Sequence, residues 1–363
     1  MKTTFVESNN FEIVGIDEPE RWNEIIGKFK NIDTYYTPGY VKSFMVHGDG
    51  EPILFHYNNG SYNALNVVML RRIKDINYII LDSKEEYFDL STPYGYGGFI
   101  FDDYVDQDSL NKLNHDYISF CKNNNIICEF VRFHPILRNY ELVSNMYETK
   151  YIGDTIVMDL NTEEDIWNNI TSKNRNVIRK AIKNHVVIKH GLTMDLFLKF
   201  IELYNSTMDR DNAREYYYFE IDFYRTLYSD LNQEIDLFYA ENDNNIISMA
   251  IILKRNKQLH YHLSGSDVRY KSLAANNLLI WEVAKWGCQN GYKTFHLGGG
   301  VGGNEQDTLF KFKKSFNRCS DSKFFIGKKI FNKEIYDKLL QSINENIELD
   351  YDFFPAYRSG KEL

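Results

Sequence analysis

Two short tracts concentrate positive charge in this 363-residue chain. Residues 171–190 contain six Lys/Arg and no acidic residue, and residues 308–333 contain eight Lys/Arg and a single acid, Asp321. The net charge of the whole chain is −9, so both tracts stand against an acidic background. Cations concentrated in this way can hold a phosphate-rich ligand, whereas a solvated helix or strand face would equally explain either tract alone.

Motifs of covalent and metal-dependent catalysis are missing from the sequence, which has no GxSxG, HExxH or Walker motif. The four cysteines have neither CxxC spacing nor paired histidines nearby. This pattern indicates reduced structural thiols, and no metal site or bound cofactor is expected. The cysteines are Cys121, Cys128, Cys288 and Cys319.

A glycine-rich run at 298–303, GGGVGG, resembles a dinucleotide-binding loop at first sight. It follows a late predicted strand, but no clear helix and no acidic partner follow it. We therefore interpret it as a flexible loop beside a cleft.

Composition is that of a soluble globular protein, with 43% hydrophobic and 26% charged residues. The length predicts two domains. No window approaches the roughly 20 apolar residues of a membrane span, and the N-terminus lacks the apolar core of a signal peptide, so we expect a cytoplasmic protein. The acidic net charge argues against a general DNA binder. The 27 Tyr and 25 Phe suit a sugar or nucleotide cleft, or simply a large core.

In the first half, strand-like and helix-like segments alternate. Pro38 suits the first turn of a short helix over 40–46, and the apolar run 126–133 predicts a buried strand. Proline and three glycines make 93–98 irregular. Further strands are predicted at 11–14, 52–57, 62–71 and 76–81, and further helices at 19–29 and 106–124.

The second half predicts a mixed sheet with a crossover helix. Three strands at 235–240, 246–254 and 259–264 form a meander, and a helix over 272–289 leads to a last strand at 293–297. The other predicted elements are strands at 155–160 and 186–189 and helices at 163–184, 193–210 and 220–231.

This order of elements, together with five local motifs, resembles the Fem-type aminoacyltransferases of the GNAT superfamily and the related acetyltransferase-like domain of polysaccharide gene clusters. The motifs occur in family order over about 145 residues, and the first half resembles the family only in outline, through 36–40 and the loop at 93–98. The five motifs are SKNRNVIRKA (172–181), YHLSGS (261–266), NNLLIW (276–281), GYKTFHLGG (291–299) and LFKFKKSF (309–316).

The resemblance implies a mixed α/β protein with two GNAT-like domains. We expect a degenerate N-terminal domain at 1–150, an acyltransferase domain at 151–320, and a C-terminal extension at 321–363 that packs on the N-terminal domain. In the Fem branch the donor is aminoacyl-tRNA and the acceptor is a peptidoglycan precursor. The family's Phe-Lys pair, matched by Phe312 and Lys313, faces the aminoacyl-tRNA end.

Aminolysis of an ester or thioester requires an uncharged amine, a positioned carbonyl and positive charge near the developing oxyanion, but no protein nucleophile. Lys313 is our candidate for the catalytic cation, although it could be one more surface lysine. Phe312 could stack on a terminal adenine or, as a residue of an alternating strand, belong to the core. No general base could be assigned. The other candidate donor-binding residues are Lys311, Lys314, Arg269, Lys271, Lys173, Arg175 and Arg179.

One strand carries candidates for acceptor binding. Period two predicts that His260, His262 and Ser264 lie on one face of this strand. The acceptor-binding candidates are Tyr261, His262, Ser264, Tyr217 and Asn276.

The turn before the crossover helix bears on the choice of donor. CoA-dependent GNAT enzymes carry spaced glycines there, which expose backbone N–H groups to the pyrophosphate. This chain has Ser272, Ala274 and Asn276 instead, which favours aminoacyl-tRNA over acetyl-CoA as co-substrate. The expected function is amide-bond formation on an amine of a cell-wall or surface-polysaccharide precursor. An acetyl-CoA-dependent N-acetyltransferase acting on an amino sugar and a non-catalytic glycan- or RNA-binding protein are the alternatives.

Overall fold

The computed structural model describes residues 5–6, 10–81, 83–300 and 306–362. These residues form two compact units. Unit 1 comprises residues within Met1–Asn31, Tyr35–Tyr151 and Phe324–Leu363, and unit 2 comprises residues within Ile32–Thr34 and Ile152–Lys323. The fold is therefore discontinuous in sequence, because the C-terminal segment belongs to unit 1 and a three-residue segment near the N-terminus belongs to unit 2.

Strands and α-helices follow each other in mixed order along the chain. The strands are β1 (Phe11–Gly15), β2 (Glu51–Asn58), β3 (Asn63–Arg72), β4 (Phe88–Ser91), β5 (Ile100–Phe101), β6 (Ile126–Arg132), β7 (Glu148–Asp159), β8 (Val187–Gly191), β9 (Ile235–Asn242), β10 (Asn245–Arg255), β11 (Gln258–Ser266), β12 (Thr294–Gly298), β13 (Ser322–Ile330), β14 (Ile347–Glu348) and β15 (Lys361–Glu362). The helices are α1 (Pro19–Ile26), α2 (Pro38–His47), α3 (Gln107–Asn123), α4 (Tyr140–Val143), α5 (Glu163–Asn169), α6 (Ser172–Lys183), α7 (Met194–Arg210), α8 (Ile221–Asp230), α9 (Ala275–Gln289), α10 (Thr308–Lys314) and α11 (Lys333–Gln341).

Unit 1 is a sheet in the order β1-β2-β3-β4-β6-β13, with β5 paired to β3. Helix α3 begins at the Asp106 cap, whose carboxylate accepts from the Ser109 N–H, as is typical of a helix start. From this helix Tyr117 packs edge-on against Phe55 and Phe99, with ring centroids 5.3 and 5.1 Å apart. The core of this unit is thus rich in aromatic rings, which explains part of the high Tyr and Phe content.

Asp89 on β4 fixes the C-terminal segment to unit 1. Its fully buried carboxylate accepts from Arg71 Nε and Arg358 Nε, each at 2.6 Å, and from the Tyr357 hydroxyl at 2.9 Å. Burial alone would raise the pKa of Asp89, but the two guanidinium groups hold this pKa below its ordinary value. Residues that are about 270 positions apart in sequence therefore share one charged cluster.

Unit 2 is a sheet in the order β7-β12-β11-β10-β9-β8. Strands β11 and β12 pair in parallel only over Gln258–His260 and Thr294–His296. Beyond these pairs β11 continues beside β10 while β12 continues beside β7, so the two central strands diverge. Helix α9 is the crossover between them, and its Leu279, Ile280 and Val283 are fully buried against the sheet.

Three predicted elements were wrong. The helix expected over 163–184 is divided into α5 and α6, because Thr171 is extended and caps a new helix by accepting from the Asn174 N–H. The segment 76–81 is not a strand and makes only an isolated bridge at Ile79. Phe312 and Lys313 lie on the helix α10 and not on a strand, so the glycine-rich run is followed by a helix after all. Residues 301–305 of that run lie outside the described residues.

Most other predicted elements were confirmed with shifts of one to three residues at their ends, including the meander, the crossover helix and the final strand of unit 2. Among the described residues, no helix is long and apolar enough to cross a membrane.

Candidate active site

The end of β12 is built around a bulge. His296 opposes Val157 and Gly298 opposes Ile156, so Leu297 is an extra residue on this strand. Gly298 has φ +77°, in the left-handed region that glycine adopts without steric cost. The next carbonyl, that of Gly299, accepts a hydrogen bond of 2.8 Å from Lys313 Nζ. The bulge and the left-handed glycine thus end the strand with a carbonyl directed at a lysine.

Lys313 reaches this carbonyl from α10, whose N-terminus is capped by Asp307 through the Leu309 and Phe310 N–H groups. Burial lowers the pKa of Lys313 to about 8, and the Asp307 carboxylate opposes this shift. The side chain is partly exposed, but its ammonium is desolvated and donates to the Gly299 carbonyl. Its desolvated ammonium is suited to stabilise negative charge, since electrostatic interactions are stronger where water is excluded.

Phe312 packs edge-on against Phe316 at 5.3 Å between ring centroids, and it borders the core under α9. It remains partly exposed, so one part of the ring is in the core and another part is accessible.

The other cations near Lys313 in sequence have separate partners. Lys311 Nζ donates to Gln306 Oε1 at 2.6 Å, and Lys314 Nζ donates to the Ser320 carbonyl at 3.1 Å. Arg318 Nη2 donates to the Asn168 carbonyl at 2.8 Å. The second basic tract also continues into β13, where Lys329 is buried in unit 1. The tract is therefore not one continuous basic surface.

The turn before α9 is a 3-10 helix, Val268–Leu273, followed by Ala274 in the left-handed region with φ +57°. No side chain caps α9 at Ala274. The turn thus keeps a left-handed residue without glycine, although such a conformation is unfavourable for alanine. Arg269 is exposed and forms a two-pronged ion pair with Asp267, and Lys271 is exposed.

The basic helix α6 directs most of its cations to the surface. Lys173 and Arg179 are exposed, and Arg179 lies over the Trp167 ring at 5.2 Å. Arg175 is partly buried, and its Nη1 donates to the Trp167 carbonyl at 3.3 Å.

The first turns of α6 and α9 and the end of α10 adjoin one another. The Thr171 N–H donates to the Ser315 carbonyl at 2.9 Å. The Asn277 side-chain amide donates to Asn174 Oδ1 at 2.8 Å, and Asn174 is 3% exposed. Three of the family-like motifs, separated by up to about 140 residues, thus meet in unit 2.

Strand β11 contains a bulge that changes which side chains share a face. Leu263 opposes Ile251 and Tyr261 opposes Ile252, leaving His262 as the extra residue. Ser264 therefore lies on the face of Tyr261, and the expectation that it shares a face with His260 and His262 was wrong. Burial raises the pKa of Tyr261 to about 12, while the Ser264 hydroxyl opposes this shift.

His262 is poorly suited to accept a proton. Burial lowers its pKa to about 3, and the neighbouring His260 adds to the effect. A base of this strength stays neutral at physiological pH but binds a proton only weakly.

Sequence reasoning missed a pair that includes a residue from the N-terminal region. His260 Nε2 lies 2.8 Å from Asp33 Oδ2, and both residues belong to unit 2 and are almost fully buried. His296, opposite His260 in the parallel pair, lies 5.5 Å away between ring centroids. No motif pointed to Asp33, since 227 residues separate it from His260.

Two further acceptor candidates lie at different places in unit 2. Asn276 Oδ1, in the first turn of α9, accepts from the Ser248 hydroxyl of β10. Tyr217 is partly buried and stacks edge-on against Tyr216 at 5.4 Å.

Comparison with known proteins agrees with this geometry. Residues 171–313 match the family model of the acetyltransferase (GNAT) domain. The UDP-N-acetylmuramoylpentapeptide-lysine N(6)-alanyltransferase of Weissella viridescens is 21% identical over 189 residues, which cover 50% of this chain and 53% of that protein. The match therefore spans about half the length of this curated relative.

Solved structures are similar over nearly the whole chain. The crystal structure of FemX has a TM-score of 0.62 at 14% identity, covering 90% of this chain and 99% of that one. A tandem GNAT protein from the clavulanic acid biosynthesis pathway has a TM-score of 0.50 at 6% identity, covering 89% and 98%.

Residues 171–313, which include the crossover helix, thus match a GNAT domain, and the chain has the mixed α/β architecture that was predicted. The similarity to the Weissella viridescens alanyltransferase and to the FemX structure agrees with the Fem-type resemblance found in the sequence.

Proposed function

We propose that this protein is an acyltransferase that moves an aminoacyl group from aminoacyl-tRNA to an amine of a cell-wall or surface-polysaccharide precursor. The observation that carries the proposal is the desolvated ammonium of Lys313, which is held at the end of β12 next to the diverging strands. The similarity to an alanyltransferase that acts on UDP-N-acetylmuramoylpentapeptide-lysine supports this choice of donor and acceptor.

The reaction requires little covalent chemistry from the protein. The acceptor amine attacks the ester carbonyl carbon, a C–N bond forms, and the ester C–O bond breaks. The proton lost by the amine is transferred to the departing ribose oxygen. Lys313 would stabilise the oxyanion of the tetrahedral intermediate, since an ammonium has three N–H donors and the Gly299 carbonyl accepts from one.

The donor would bind across the surfaces that carry the remaining candidates. The exposed cations of α6 would contact phosphates, and the accessible part of the Phe312 ring would stack on the terminal base. Tyr261, Ser264 and Asn276 would contact the acceptor, together with Tyr217.

A second candidate function is acetyl-CoA-dependent N-acetylation of an amino sugar. It is favoured by the turn before α9, where Ala274 keeps the left-handed conformation and the helix N-terminus has no side-chain cap. Small residues at such a turn leave backbone N–H groups accessible to a pyrophosphate.

The two donors can be compared directly. The purified protein would be incubated with tRNA charged with radiolabelled amino acids and UDP-N-acetylmuramoyl pentapeptide, and separately with acetyl-CoA and amino sugars. We expect transfer of label from tRNA to the pentapeptide. Consumption of acetyl-CoA alone would assign the second function, and consumption of neither donor would contradict both.

Replacing the proposed catalytic cation tests the mechanism. Lys313→Ala should lower kcat by about 100-fold or more, the usual effect of removing one oxyanion donor, while donor affinity changes much less. Lys323→Ala, an exposed lysine of the same unit, is the matched control. Equal effects of the two substitutions on kcat would argue against a catalytic Lys313.

A further inference from the structure

The bulge at the end of β12 places a glycine directly beside the ammonium of Lys313. A Cβ atom added at Gly298 would lie 3.3 Å from Lys313 Nζ, closer than an ordinary contact between such atoms. The backbone there has φ +77°, and the following carbonyl is the one that binds the ammonium. Both the space around Nζ and the direction of the carbonyl therefore depend on residue 298.

We infer that Gly298 is a positioning residue for the proposed acyl transfer: its left-handed conformation and missing side chain fix the Lys313 ammonium on the Gly299 carbonyl. This inference rests on the proposed role of Lys313. Gly298 itself touches no reacting atom, and it acts by determining where the N–H groups of Lys313 are directed.

The surrounding residues leave little freedom for another arrangement. A Cβ at Gly299 would lie 3.1 Å from the Asp154 carbonyl oxygen, and one at Gly300 would overlap the Asp307 carboxylate. Asp307 also caps α10, the helix that carries Lys313. The three glycines thus allow β7, β12 and the start of α10 to approach one another around Nζ.

An enzyme with a correctly placed cation should differ from one with a displaced cation mainly in kcat. Stabilisation of an oxyanion depends on the direction and distance of its donors, so an ammonium displaced from its position loses transition-state binding first. The affinity for the donor depends on many other contacts and should change little.

The chain offers a matched control for the substitution. Gly291 has φ +78°, nearly the same as Gly298, but an added Cβ would meet no atom within 4 Å. Gly291→Ala therefore places an alanine in a similar left-handed conformation in the same unit. It makes no contact with Lys313. A difference between the two variants isolates the effect on the lysine.

We expect Gly298→Ala to lower kcat by about 10-fold or more, with KM for the donor changed by less than about 2-fold, whereas Gly291→Ala retains most activity. Gly298→Asn serves as a second variant if Gly298→Ala does not fold, because asparagine adopts the left-handed region more readily. Equal kcat values for the residue 298 and residue 291 variants would overturn the inference.

A second measurement does not depend on turnover. The rate of Lys313 acetylation by acetic anhydride, followed by mass spectrometry across pH, reports the protonation of its amine. A displaced and hydrated Nζ should titrate closer to ordinary lysine, so the midpoint should rise in Gly298→Ala and stay near 8 in Gly291→Ala. An unchanged midpoint in Gly298→Ala would contradict the positioning role. If the wild-type protein transferred no acyl group but the midpoint rose, the proposed function would fail and the positioning of Lys313 would stand.

Discussion

Lys313 combines charge with a desolvated ammonium on a partly exposed side chain, and both properties come from its immediate surroundings. The Gly299 carbonyl accepts a hydrogen bond from the ammonium, and the Asp307 carboxylate favours its charged form. Desolvation acts in the opposite direction and is the larger effect, which brings the pKa down to about 8. A lysine of ordinary pKa would stay charged through this range, so this residue should make the reaction sensitive to mildly alkaline pH.

The pH dependence of kcat should reveal the lowered pKa of Lys313. The ammonium is present below its pKa, so the rate contribution of Lys313 should be lost as pH rises through about 8. Lys313→Arg should be less active but should lack the descending limb, because a guanidinium keeps its charge over this range. A wild-type profile that rises steadily to pH 10 would contradict a catalytic role for the charged form.

At the scale of elements, helix α7 packs closely against strand β11. A Cβ at Gly265 would lie 2.5 Å from backbone atoms of Leu203 and Tyr204 on α7. The helix thus lies directly on the strand, at a point just beyond the bulge at His262. Close backbone contact of this kind can only be relieved by moving α7 or β11.

Gly265→Ala should therefore destabilise unit 2. We expect a loss of about 1–3 kcal/mol in the free energy of unfolding, as is usual for overpacking, measured by urea denaturation. Gly191→Ala is the control, because its added Cβ would make only an ordinary contact of 3.5 Å with Leu196. Equal stability of the two variants would show that α7 moves away at no cost.

At the scale of the whole molecule, charge is unevenly distributed. The chain has a net charge of −9, while α6 and its flanks carry six Lys/Arg without an acid. An acidic protein that binds RNA needs such a local patch, since its average field repels phosphates. The exposed lysines of α6 should therefore dominate the salt dependence of donor binding.

Binding of charged tRNA should weaken steeply with salt, and removal of three exposed lysines should reduce the slope of log K against log salt concentration by about two. The variant is Lys173→Ala, Lys180→Ala and Lys183→Ala combined. Its control replaces the exposed lysines 112, 122 and 150 of unit 1 in the same way. Identical slopes for the two triple variants would exclude α6 as the RNA-binding surface.

Local patterns in the sequence predicted most of the elements and the resemblance to a known family. Apolar periodicity predicted the meander and the helix α9, and the motif around Phe312 and Lys313 contributed to the resemblance to the Fem type. These patterns can be recognised in a single sequence because they depend on contacts between near neighbours and on residue types at fixed spacing.

Only the tertiary structure decided the arrangement of the site. The bulges at His262 and Leu297 have no clear sequence signal, yet they determine which side chains share a face and where the Gly299 carbonyl points. The pairing of His260 with Asp33 joins residues 227 positions apart, and the desolvation of the Lys313 ammonium results from packing around α10. Strand register, desolvation and long-range contacts are properties of the folded chain, so neither composition nor spacing could supply them.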